Sequence, residues 1–225
     1  MLSQWRGFLP DFLDGLKVTM ELTGASLLVG LPLGVLLALL VASKVHATRW
    51  IAIVGVEIGR GTPGLIMLYL VYYGLPQLHI TLGNFLAATI GLGITTGAYT
   101  SEVFRAGINA VPDGQREASQ ALGLSAGHEL RLVVLPQAIR LVIPPVIGFS
   151  ILLYQGTSLA YAISTPELLS RAYNAATISY QFTAALTLAG LMYAVISLTA
   201  VALLRLRRPS RIGRRTPTVE NAVQI

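Results

Sequence analysis

Five long apolar stretches, at about 18–42, 51–75, 84–104, 137–160 and 182–204, constrain this chain more than any other feature. A helix rises about 1.5 Å per residue, so roughly 20 apolar residues cross a hydrocarbon core of about 30 Å. Charged residues make up 12% of the sequence against 54% hydrophobic, and the mean hydropathy is +0.68. A soluble domain carries roughly a quarter charged residues. Too few are present here to cover a water-facing surface, so much of that surface meets lipid. Within lipid the backbone must satisfy its own polar groups, which helices do. The expected fold class is an all-α integral membrane protein, a single transmembrane domain over 1–225. The first run is longer than a signal-peptide core and others follow it, which favours a retained helix.

Small and polar residues punctuate these runs. Gly30 with Gly34, and Gly93 with Gly97, form two small-xxx-small pairs that let helices approach closely. The second run carries Glu57 and Arg60 before an uncharged part that starts at Gly61, and Tyr72 and Tyr73 mark its far end. Glu57 with Arg60, and Glu102 with Arg105, are spaced one helical turn apart and suited to pairing. Pro144, Pro145 and Gly156 in the fourth run suggest a break or kink, tolerated where backbone lines a cavity or packs on protein.

Orientation follows from the basic residues. With the chain start outside, only Arg6, Lys17 and Arg171 of the 16 Lys and Arg fall on outer segments. The others fall inside, including the tail 205–225 with Arg205, Arg207, Arg208, Arg211, Arg214 and Arg215. This bias places the N-terminus outside and the C-terminus in the cytoplasm. It also accounts for the net charge of +6 by attraction to anionic lipid headgroups, without nucleic acid. Cysteine is absent, which excludes disulfides, thiolate metal sites and Cys nucleophiles. His46, His79 and His128 are scattered without metal-ligand spacing, and no catalytic residues are expected.

The longest internal polar stretch runs from about 101 to 140 and still shows helical apolar spacing at Ala118, Ala121 and Leu122. Glu117-Ala118-Ser119 lies on a helix, Gly123 permits a tight turn, and a second helix ends at or is bent by Pro136. The expected product is a short helix–turn–helix knob on the cytoplasmic side, suited to docking on a soluble partner. A solvated glutamate at a helix start would explain Glu117 alone, through the helix dipole, but not the residues around it.

Those residues resemble the EAA loop of ABC importer permeases, with Ser119 at the third position and Val133 as the aliphatic before Leu135-Pro136. The flanking text resembles the polar amino acid branch (histidine/glutamate/glutamine/arginine-type). It includes Arg60-Gly61-Thr62-Pro63, the run Ala98-Tyr99-Thr100-Ser101-Glu102-Val103-Phe104-Arg105, and Val111-Pro112-Asp113-Gly114-Gln115-Arg116-Glu117. Leu135-Pro136-Gln137-Ala138, Pro144-Pro145, Thr157-Ser158-Leu159 and Pro166-Glu167-Leu168-Leu169 continue it. The resemblance spans nearly the whole of 18–204.

It implies a five-helix permease core that imports polar amino acids across the bacterial inner membrane as a homo- or heterodimer with a second permease. A cytoplasmic ABC ATPase, carrying ATP and Mg, would dock on the loop 112–136 through Gln115, Glu117, Ala118, Ser119, Gly123, Leu135 and Pro136. A periplasmic or lipid-anchored solute-binding protein would deliver the solute. This chain has no phosphate-loop motif, so hydrolysis belongs on another polypeptide and no cofactor is expected here.

Three positions depart from the family pattern: Gln155-Gly156 stands where Lys-Asp is usual before Thr157, and Gly148 replaces a common Asn. The expected solute path comprises Arg60, Thr62, Gln155, Thr157 and Ser158. The plain alternative is that the last three satisfy backbone groups and neighbouring helices. Partner-supplied contacts, an opine or similar small solute, or a non-transporting scaffold subunit would also fit the departure. An ion-coupled secondary transporter would need acidic residues along its path, and the apolar parts of the later runs hold none.

Overall fold

A computed structural model describes residues 2–206, and among them all regular structure is helical. Helix α1 (Leu2–Val41) has 40 residues and starts well before the apolar run expected from Val18. At that length it extends about 60 Å, roughly twice the hydrocarbon thickness. Its first turns are helical because they have something to pack on. Phe12 is fully buried with Leu168, Ala172, Ala185 and Ala189, and Trp5 and Phe8 close over the same cluster. The Trp5 indole donates to the Ala184 carbonyl at 3.0 Å.

The run 51–75 is not one straight span, which corrects the sequence expectation. Helices α2 (His46–Gly61) and α3 (Gly64–Tyr69) meet at a bend of 107°. Thr62 is extended at ψ 126 and Pro63 precedes α3. Proline disfavours the α conformation in the residue before it, so the first helix stops at Gly61. Beyond α3 the chain winds through a π turn, Leu70–Gly74, and a 3-10 turn, Leu75–Leu78.

Helix α4 (Asn84–Asn109) is the centre of the bundle, touching α1, α2, α3 and the later helix α7 (Leu135–Gly156). Its Gly93–Gly97 face meets the Gly30–Gly34 face of α1. A Cβ on Gly30 would lie 2.5 Å from the Thr96 Cβ, and one on Gly97 would lie 2.7 Å from the Leu33 side chain. Only glycine permits this approach. Thr96 and Thr100 on the same face donate to the Leu92 and Thr96 carbonyls, each at 2.7 Å, so their hydroxyls are satisfied within the helix.

After α4 come α5 (Asp113–Ala121), α6 (Ala126–Glu129) and a π turn, Leu130–Val134, which feeds directly into α7. Pro136 therefore does not end the second helix of the knob. It occupies the first turn of α7, where its missing N–H costs little. Of the break or kink expected from Pro144, Pro145 and Gly156, the break falls at Gly156, while the helical assignment of α7 runs through both prolines. Winding changes only in the 3-10 segment Thr157–Ile163, where the Thr157 hydroxyl donates to the Tyr154 carbonyl at 2.7 Å and competes with the α ladder.

Helices α8 (Leu168–Ser179) and α9 (Phe182–Leu206) complete the described chain. Among the described residues, Gln4–Val41, Ala126–Ile163 and Phe182–Leu204 are long and apolar enough to cross a membrane, and the bent pair passes the same test only when its two arms are taken together. Helix α4 is long enough but rich in Gly and Thr, as suits a helix covered by protein on its buried face. The arginine-rich stretch beyond Leu206 lies outside the described residues.

Candidate functional site

The polar stretch forms a compact knob at the junction of α4 and α7. Its inner side is fixed by Val111, Val134, Ala138 and Ile108, with Ser119 only 2% exposed. Its outer side presents Gln115, Glu117, Ala118 and Ala121, and Leu122 is 81% exposed. Gly123 has φ +74, and the amides of Gly123 and Leu124 donate to the carbonyls of Gln120 and Ser119 at 2.9 and 3.1 Å. This is a Schellman turn, in which glycine supplies the left-handed residue that closes α5. Leu135 and Pro136 stand at the base, in the first turn of α7. Gln137 beside them donates to the Val133 carbonyl at 3.0 Å and lies 3.4 Å from the Gln115 amide oxygen.

The expected path residues are brought together only in part. Arg60 closes α2, 3.7 Å from the Glu57 carboxylate. Its guanidinium lies over the Tyr99 ring at 5.8 Å, a cation–π distance, and Tyr99 stacks on Phe149 of α7 at 5.5 Å. Thr62 sits at the bend. A Cβ on nearby Gly64 would be 3.4 Å from Leu159, so the bend adjoins the 3-10 segment that carries Ser158. Gln155 is engaged elsewhere, donating to the Ser197 hydroxyl of α9 at 3.1 Å. Thr157 is fully buried, and the Ser158 hydroxyl donates to the Gln155 carbonyl at 2.8 Å.

With this geometry in view, residues 30–211 match the family described as binding-protein-dependent transport system inner membrane component. The chain belongs to that family. It is similar to the arginine transport system permease protein ArtQ of Bacillus subtilis (strain 168), 37% identical over 84% of this chain and 87% of ArtQ. The glutamate/aspartate import permease protein GltK of Escherichia coli O157:H7 is 32% identical, covering 85% of this chain and 89% of GltK. Among solved structures, an amino acid ABC transporter with histidines superposes with a TM-score of 0.87 at 32% identity, covering 91% of this chain and 95% of the other. The chain is thus a multi-pass inner-membrane permease subunit of an ABC importer. It is a transport subunit and not an enzyme; the ATPase is a separate subunit.

Two features of this permease involve residues that the sequence marked only as part of the resemblance, Glu167 and Arg116, without assigning either a role. Glu167 is fully buried and caps α8, accepting from the amides of Leu169 and Ser170 at 2.9 and 2.6 Å and from the Tyr193 hydroxyl at 2.7 Å. Burial pushes its carboxyl above the usual range, while these hydrogen bonds pull the other way. An acid directly before an apolar helix start is the signal that points to such a cap. The second feature is a contact inside the knob. The Arg116 guanidinium lies 3.7 Å from the Glu129 carboxylate and donates to the Ile108 carbonyl at 3.2 Å, and the Gln120 amide donates to Glu129 at 3.1 Å. No spacing rule links positions on two helices joined by a turn.

Proposed function

We propose that this permease carries polar amino acids inward and is driven by an ATPase that docks on the knob 112–136. The observation that carries the proposal is the knob's division of faces. One side is locked into the bundle through Ser119, Val111 and Val134, and the other offers Glu117, Ala118 and Leu122 to a partner. A rigid element with one anchored and one free face transmits a push from outside into the helices. ATP and Mg remain on the partner, and this chain supplies Gln115, Glu117, Ala118, Ser119, Gly123, Leu135 and Pro136 as the docking and shaping residues. The transport cycle is a two-state equilibrium biased by nucleotide bound elsewhere.

Five crossings accommodate the described helices: α1, the bent pair α2–α3, α4, α7 and α9, with the N-terminus outside and the C-terminus inside. The amino acid class rests on the relatives, whose names specify arginine and glutamate/aspartate transport. Solute passes along the bend at Arg60 and Thr62 and the adjoining Ser158, against a second permease, after delivery by a solute-binding protein. Gln155 and Thr157 support that wall through Ser197 and Tyr154. Because Gln155, Thr157 and Ser158 all donate to groups of this chain, a second reading is supported as well: the partner permease supplies the main solute contacts.

Co-purification with the co-expressed ATPase tests the docking. The native chain should retain the ATPase, while Glu117→Arg and Gly123→Pro should insert in the membrane but lose it. Persistent association of both variants would remove the knob from the coupling role. Purified protein that moves solute down an ion gradient without an ATPase would overturn the whole proposal.

A further inference from the structure

Beside the apolar contacts of Val111 and Val134, one arginine ties the knob to the bundle across three elements. Arg116, on α5, donates to the carbonyl of Ile108 in the last turns of α4 and faces the Glu129 carboxylate at the end of α6. Gln120, one turn further along α5, holds the other Glu129 oxygen. Glu129 is only 8% exposed. A shielded carboxylate of this kind loses more by losing a partner than an exposed one does, since it cannot replace that partner fully with water.

Ile108 lies on the same helix as Tyr99, which grips the Arg60 carbonyl at the α2–α3 bend. A displacement of α5 therefore loads α4 through Arg116, and α4 reaches the bend through Tyr99. We propose that Arg116 and Glu129 are positioning residues for ATP-driven transport, forming a clasp that makes the knob and α4 move as one body. This rests on the knob being the ATPase dock. The clasp touches neither nucleotide nor solute; it sets how much of the knob's movement reaches the solute path.

The test uses the full complex reconstituted in proteoliposomes: native chain, ATPase, second permease and binding protein. Arg116→Met keeps the stem and removes the charge, Glu129→Gln keeps the size, and the double variant closes a thermodynamic cycle. Three quantities are read: ATPase retained on purification, ATP hydrolysed, and uptake of radiolabelled arginine, glutamate and glutamine. Each single variant should keep its ATPase yet move about threefold less solute per ATP, with the double variant no worse than the poorer single.

A merely structural role lowers the amount of complex but leaves solute per ATP unchanged, and that result overturns the clasp. Additive losses in the double variant overturn it too, because independent residues do not form one clasp. Failure of the native chain to bind the ATPase overturns the docking proposal itself, and is distinguishable because it precedes any variant. If Arg116→Met fails to insert, Glu129→Gln carries the test alone: less solute per ATP supports the clasp, and an unchanged ratio overturns it.

Discussion

The Tyr99 hydroxyl of α4 donates to the Arg60 carbonyl at 3.1 Å, and the Arg60 guanidinium covers the same ring, so one residue pins both ends of a single arginine at the bend. Tyr99→Phe keeps the stack on Phe149 and removes only the hydrogen bond, with an expected cost of about 1 kcal/mol. Thermal unfolding in detergent should fall modestly for this variant and further for Tyr99→Ala, which also loses the ring. Equal melting of Tyr99→Ala and native protein would show that the bend is held by other contacts.

The α1–α4 crossing predicts a contrast between glycines. Gly97→Val forces a branched side chain against Leu33 and should destabilise by about 1–3 kcal/mol. Gly24 faces open space on the same α1, so Gly24→Ala should be neutral or slightly stabilising through helix propensity. Melting curves of both variants decide the matter, and similar behaviour would refute the close crossing.

Glu167 provides a test of buried capping. Glu167→Ala strips acceptors from the Leu169 and Ser170 amides and the Tyr193 hydroxyl, and should cost on the order of 2–3 kcal/mol. Glu167→Gln retains an acceptor oxygen and should cost less. Proteolysis within α8 should accelerate in that order; indifference to both changes would mean the cap is dispensable.

At the solute path, Thr62→Leu should weaken uptake, raising KM on the order of tenfold for the loss of one polar contact. Gln155→Leu should leave KM nearly unchanged, because its amide already serves Ser197. A large KM change at Gln155 with none at Thr62 would relocate the path toward α9.

Much of the architecture was legible along the chain. The apolar runs located the long helices, and Gly30–Gly34 and Gly93–Gly97 were both visible as close-packing pairs. That the two pairs meet each other was not visible, since each pattern states only that some helix can approach. Gly123 was readable as a turn because a left-handed residue after a helix has few alternatives to glycine. The break at Thr62 was hidden inside a run that remained apolar on both sides of Pro63. In the fourth run, Pro144, Pro145 and Gly156 all pointed to a break, and only the packing decided that the helix ends at Gly156, where Thr157 bonds back to Tyr154.

By itself, the sequence determined that this chain is helical and membrane-embedded, because long apolar segments without water must satisfy their backbone within themselves. It also located the knob, whose turn depends on local φ preferences. Tertiary structure alone decided that Gln155 is taken up by Ser197, that Tyr193 of α9 closes over the Glu167 cap, and that Arg116 joins Glu129 to the end of α4. Read in one dimension, Glu167, Arg116 and Glu129 are equally compatible with a solvated helix face, and Gln155 with any polar neighbour in the bundle. Their partners are chosen by where packing brings distant helices together, which no local periodicity encodes.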